Sequence, residues 1–230
     1  MVSKTPATRP SRRRRQKGSE ILEFALVSFF MVPTFVWTFV NGMNLLRIIE
    51  ATHVCRDIGN LYIHGVDYTT FEAQTVGAKL AKGFDLQIGS SFVGNNAANT
   101  ANQGKGLVVL SQVMYVGATT CGSLPSGTTC TNQNKYVFLQ RIMFGKGDLQ
   151  INGSQVVSSL GNVTNVVFNS SGFVQNYLTD PDAVAPNAGT FFASPLVDGQ
   201  VAYVSETFFS SPDLAISAYP GGGLHNTLFF

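Results

Sequence analysis

Residues 12–40 read RRRRQKGSEILEFALVSFFMVPTFVWTFV, and this stretch decides the architecture. Arg12 to Arg15 and Lys17 stand on one side, and the segment from Phe24 to Val40 carries no charge. The charge-free run continues to Leu46, before Arg47. As a helix it spans roughly 34 Å at 1.5 Å per residue, which matches a hydrocarbon core of about 30 Å. A membrane span is therefore expected at about 24–46. The arginine flank then holds the N-terminus in the cytoplasm by the positive-inside rule, and the remainder of the chain lies across the membrane. A buried helix of a soluble protein does not account for the arginine cluster. A cleaved secretory signal is the other rival, but its apolar core normally runs about 7–15 residues to a small-x-small site. This run is longer, and Val40-Asn41-Gly42 is a poor site. Pro33 inside the span is compatible with a membrane helix, where neighbouring groups re-satisfy the freed carbonyl, and a local loosening near Phe29–Phe30 is expected.

The charge balance supports the same division. The 15 basic and 13 acidic residues of the 230 give a net charge of only +2. Residues 1–17 nevertheless hold seven basic residues and no acid, leaving eight basic and thirteen acidic residues in 18–230. A basic tip thus precedes an acidic body. Charged residues make up 12% of the chain, about half the roughly 25% usual in soluble domains. This composition argues against a charge-driven disordered chain and a polybasic nucleic-acid binder, so no nucleic-acid partner is expected. Three cysteines exclude a dense disulfide scaffold.

Glu23 sits at the edge of the apolar run, where a carboxylate is costly and usually partnered. The order of basic leader, Gly18, Ser19, Glu20-Ile21-Leu22, then Glu23-Phe24 and an apolar run resembles a class III type IV prepilin signal. Gly18 to Val27, GSEILEFALV, is most similar to the TadE-like minor pilins (pseudopilins) of tight-adherence pilus systems. The resemblance implies cleavage by a prepilin peptidase between Gly18 and Ser19, on the cytoplasmic side. It also implies a pairing role for Glu23, followed by Phe24, as the fifth residue of the mature chain. Cleavage would create an α-amine on Ser19, and Glu23 of an axially offset neighbour could neutralise it where both charges are poorly solvated. A helix N-terminus also favours a nearby acid. Glu20, and the late position of Pro33 in the span, depart from the family pattern. The firm resemblance covers roughly residues 12–64.

Beyond the span, Ile48, Ala51, Cys55, Ile58 and Tyr62 recur at spacings of three and four, one face of a helix. The membrane helix is expected to continue as an amphipathic helix to about Ile63 and to end at Gly65. That face either packs on the body or contacts another subunit. Thr69-x-x-Glu72 reads as a capping box for a short helix over 71–82, with Gly83 able to cap its end. Residues 89–106 read as an exposed Gly/Asn/Ser-rich loop. Strands are expected at Leu107–Val116, Tyr136–Phe144, Gln155–Phe168 and Gly199–Phe209. They form an antiparallel sheet packed against the outer helix, and the last of them loosely resembles the final TadE-like strand. The apolar C-terminus, Leu224–Phe230, is either a last strand or a contact for another subunit.

Cys121 and Cys130 bracket GSLPSGTT, and outside the cytoplasm they are expected to form a disulfide, two free thiols being the alternative. Cys55 reads as a buried thiol. His53, His64 and His225 are scattered, and Asp180-Pro181-Asp182 reads as a solvated turn. There is no nucleophile elbow, HExxH or phosphate loop. No catalytic, cofactor-binding or metal-binding residue is assigned, and neither an enzyme nor a cofactor is expected.

The expected organisation is α+β. A basic leader, 1–18, precedes a long N-terminal helix, 19–64, whose inner half is transmembrane and whose outer half is amphipathic. The helix packs on a soluble antiparallel β-sheet domain, 65–230, outside the cytoplasm. The resemblance implies a structural minor pilin, a single-pass protein of the bacterial inner membrane able to enter a pilus. Its implied partners are the prepilin peptidase, major and other minor pilins, the inner-membrane assembly platform and membrane lipid. The competing readings are an uncleaved single-pass anchored extracytoplasmic binding module and an anchored enzyme.

Overall fold

A computed structural model describes residues 16–89, 100–101, 103–161, 163, 165–192, 194–210 and 223–230. The chain divides into two compact units, Met1–Leu45 and Leu46–Phe230. The boundary falls inside one long helix, α1, Gln16–Ile63. The body takes in the helix from Leu46 onward, because buried Ala51, Val54, Ile58 and Tyr62 belong to its core.

In the first unit the helix continues through Pro33. Its apolar side chains are exposed, Phe24, Phe35 and Trp37 among them. Thr34 and Thr38 donate to Phe30 O and Thr34 O at 2.7 and 2.8 Å, so these hydroxyls are satisfied within the helix. The helix is long and apolar enough to cross a membrane.

In the second unit α1 ends where Gly65, at φ +85°, turns the chain. Gly65 N donates to Tyr62 O and Val66 N to Leu61 O, both at 3.0 Å, closing carbonyls the helix leaves open. Next comes α2, Phe71–Leu80. Its N-cap is Thr70, one residue later than the expected box. Asp67 takes Thr69 instead, accepting from its amide and hydroxyl at 2.9 and 2.6 Å. The helix stops at Leu80, and Gly83 lies within a 3-10 turn, Lys82–Phe84, that ends in left-handed Asp85.

The main sheet contains β1 Thr100–Ala101, β2 Gly106–Val116, β3 Lys135–Lys146, β6 Val201–Ser210 and β7 Gly223–Phe229. Their order is β1-β3-β2-β6-β7. Four long strands pair antiparallel, and short β1 runs parallel to β3 at the edge. Thr100–Ala101 thus form an edge strand within the stretch expected to be a loop. The apolar C-terminus forms β7, paired with β6.

The described residues of 155–168 do not form the expected continuous strand. Ser154–Gln155 (β5) pairs with Gln150–Ile151 (β4) in a small hairpin, and Phe168 makes a single antiparallel bridge with Val174. Gly161 at φ +94° and Asn165 at φ +65° break extended geometry. Ser158 and Ser159 turn their donors inward instead of along a ladder.

The sheet is covered on both faces. Val108, Leu110, Ile142, Phe144 and Phe209 meet α1 and α2 on one face. Leu107, Val109 and Phe208 meet Leu149 on the other. Between Gln112 and Val113 the β2–β3 register shifts from Gln140 to Phe138, leaving Leu139 as an extra residue in β3. The bulge lets Gln140 face the helix while Arg141 and Phe138 share the opposite face. Two four-residue helices, α3 Ala118–Cys121 and α4 Ala188–Phe191, complete the unit.

Candidate functional site

The junction residues Gly18, Ser19, Glu23 and Phe24 all lie in α1. Ser19 Oγ donates to Glu23 Oε1 at 3.3 Å, one turn on. Glu23 and Phe24 are exposed, and among the described residues no cation pairs with Glu23. α1 already includes Gln16, seven residues before Glu23, so Glu23 lies outside the first turn, to which the helix dipole's effect is confined. Dipole stabilisation of Glu23 is therefore not a property of the uncut helix.

The body contains a buried polar cluster on the sheet face away from α1. Glu206 on β6 is fully buried. It accepts from Ser158 Oγ and, at 2.7 Å, from Ser159 N. His225 Nε2 on β7 lies 3.5 Å from its Oε1. Burial pushes the Glu206 carboxyl up, but hydrogen bonds from His225, Ser158 and Ser159 outweigh it and hold the group below its ordinary value. Arg141 on β3 is also buried, donates to Gly161 O at 2.8 Å and lies 5.1 Å from the Phe138 ring. Burial lowers its pKa to about 10 against the attraction of Glu206, leaving it charged at neutral pH.

This cluster contains Ser, His and Glu, but not the geometry of nucleophilic catalysis. Ser159 Oγ at 3.5 Å, Thr227 Oγ1 at 2.8 Å and Glu206 Oε1 at 3.5 Å all address the same ring atom, His225 Nε2. A relay places the acid on one nitrogen and the nucleophile on the other. Here the groups instead fasten the 158–161 turn to β6 and β7. Strand alternation marks Glu206 alone, as an acid on a face shared with Ala202, Val204 and Phe208; its partners are brought in by strand register.

Tyr62 Oη donates to Gln140 Oε1 at 2.7 Å, Gln112 Nε2 donates to the same oxygen at 3.0 Å, and Gln140 Nε2 reaches Ser171 O at 2.7 Å. These groups line an open cavity of about 230 Å³ with Asp67 and Phe173.

Cys121 and Cys130 are joined in a disulfide with a Cα–Cα distance of 5.6 Å. It closes the connection between β2 and β3. Beside it, Asp198 accepts from Gly117 N at 2.6 Å, Thr119 N at 2.7 Å and Thr120 Oγ1 at 2.5 Å. Thr120, followed by these backbone amides, holds the Asp198 carboxyl at about 2. Cys55 is a free, buried thiol that donates to Ser205 O at 3.3 Å. Asp180 caps the 3-10 turn Pro181–Ala183 through Asp182 N, at 3.0 Å.

The chain matches no family model, no curated protein and no solved structure.

Proposed function

We propose that the chain is a structural minor pilin of the TadE-like kind, a single-pass membrane protein with its N-terminus in the cytoplasm and its α+β body across the membrane. The observation that carries this reading is the order of features along α1. A polybasic tip, Gly18-Ser19, Glu23-Phe24 and a charge-free run to Leu46 lie in sequence, and one helix holds the residues from Gln16 through Leu46. A prepilin peptidase cuts after Gly18 and leaves Ser19 as the new N-terminus. Glu23 then becomes the fifth residue, one turn from the new N-terminus. It also becomes available to the Ser19 amine of an offset neighbour in a filament. A buried pair of this kind selects the register of assembly, because an unpaired charge at that depth costs several kcal/mol.

The body serves as the scaffold that presents the helix to the peptidase, to the major and other minor pilins, and to the inner-membrane assembly platform. Its buried cluster converges on a single imidazole nitrogen and fits a structural role better than an enzymatic one.

A second reading, an uncleaved anchored binding module, is favoured by the cavity at Tyr62 and Gln140. Co-expression separates the two. With a prepilin peptidase present, the membrane-bound chain shifts to a smaller form, and Glu23→Ala is cleaved but fails to assemble. A Glu23→Ala chain that assembles normally would refute the pairing mechanism, and a chain that never shifts supports the anchored module.

A further inference from the structure

The basic residues of the second unit are unevenly placed. Of eight, five gather at one end: Arg47, Lys79, Lys82, Lys105 and Lys146. Arg47 Nη1 donates to Gly83 O at 3.1 Å and its guanidinium lies 6.0 Å from the Phe84 ring, which brings the Lys82 turn to Arg47. Phe84 stacks on Phe209, near the end of β6, with centroids 4.4 Å apart. Lys105 N donates to Asp85 O at 2.9 Å and Ser210 N donates to Lys105 O at 2.8 Å, so Lys105 joins the same end. Lys105 and Lys146 line one polar cleft of about 330 Å³. Among the described residues Glu50, Asp85 and Asp148 lie there too, leaving the described part of this end net positive. The other described residues of this unit carry three basic residues, Arg56, Lys135 and Arg141, against seven acids.

Lys79, Lys82 and Lys105 are exposed, Lys146 is half-buried, and among the described residues none of the four is in an ion pair. Exposed apolar side chains share this end: Leu46 at 62%, Ile49 at 45% and Leu80 at 40% relative exposure. Leu46 closes the charge-free run and Arg47 follows it. Groups bonded to Arg47 therefore lie at the level where a spanning helix leaves the bilayer.

We propose that this end of the body is a lipid-binding collar. Its lysines engage the phosphate headgroups of anionic phospholipids in the leaflet that the helix exits, and Leu46, Ile49 and Leu80 enter the headgroup–acyl boundary. Long lysine stems reach headgroups while lying along apolar surface, and basic groups next to an anionic surface are attracted over about a Debye length. The inference rests on the reading that residues 24–46 span a membrane. It does not require cleavage or assembly.

The test is hydrogen exchange on the full chain in nanodiscs of phosphatidylcholine alone or mixed with phosphatidylglycerol. Protection of residues 24–46 in both reports insertion. The collar predicts slower exchange of 79–84 and 103–106 only with phosphatidylglycerol, reversed by high salt. Removing lysines weakens this roughly fivefold per cation, so Lys79→Gln, Lys82→Gln, Lys105→Gln and Lys146→Gln combined abolish it while 24–46 stays protected. Equal exchange of the collar in both lipids, with 24–46 protected, overturns the collar and leaves the span intact. Unprotected 24–46 overturns the spanning reading, and the collar with it. Slowing by inorganic phosphate in phosphatidylcholine alone marks a site for soluble anions and overturns the lipid assignment.

Discussion

The Tyr62 hydroxyl in the last turn of α1 donates to Gln140 Oε1 beside the β3 bulge, at 2.7 Å. This bond ties the end of the long helix to the middle of the sheet. Burial pushes the Tyr62 phenol well above the usual range, so it stays protonated as a donor. Tyr62→Phe leaves Gln140 with the Gln112 donor and is expected to cost about 1 kcal/mol. Urea unfolding of the full chain in detergent checks this. A loss above about 3 kcal/mol would show that Tyr62 acts through packing more than through this bond.

Gly59 lies where α1 packs tightly against the sheet and the C-terminal residue. A Cβ there would sit 2.6 Å from the Phe230 ring and 3.0 Å from Ser205 Cβ. Gly59→Val is therefore expected to destabilise the body by roughly 1–3 kcal/mol through overpacking. Thermal melts show whether it does, and Gly59→Ala should fall between wild type and valine because the ring can shift further than the strand.

Glu206 predicts an acid-limb dependence. Its native pKa is depressed, so its contribution is fully present above the ordinary unfolded value of about 4.3 and is lost as pH falls through the lower native value. Glu206→Gln is expected to cost on the order of 1–3 kcal/mol at neutral pH and to flatten the stability profile below about pH 4. An unchanged acid limb in Glu206→Gln would assign that limb to other carboxylates. Asp198 contributes to the same limb, with its window running from about 3.9 down to about 2.

The disulfide closes a short loop, with its cysteines nine positions apart. Cys121→Ser with Cys130→Ser, or reduction, should cost roughly 2–3 kcal/mol. The loss should be local, since α3 is also held by Asp198. Melting temperatures with and without reductant measure it, and additional loss on adding Asp198→Asn tests whether the two restraints share one segment.

Where periodicity and charge carry the signal, the sequence was sufficient. The charge-free run, the stripe through Ala51, Cys55, Ile58 and Tyr62, Gly65 at the helix end, and three long strands emerge from local pattern. The failures have local causes too. Asp67 captured Thr69 and moved the cap to Thr70. The 155–168 segment is rich in valine, yet Ser158 and Ser159 serve buried Glu206 instead of a ladder. The Glu206, Arg141 and His225 cluster depends on strand register and on the β3 bulge, which no local spacing encodes. The collar was hidden for the same reason: Lys79, Lys105 and Lys146 converge only when the sheet ends meet the turn beside Arg47.

The central claim concerns one peptide bond, and intact-mass analysis of the membrane-extracted chain tests it most directly. From cells containing a prepilin peptidase, the account predicts a mature N-terminus at Ser19, with the seven basic residues of the leader removed. A chain still beginning at Met1 or Val2 in those cells would contradict it.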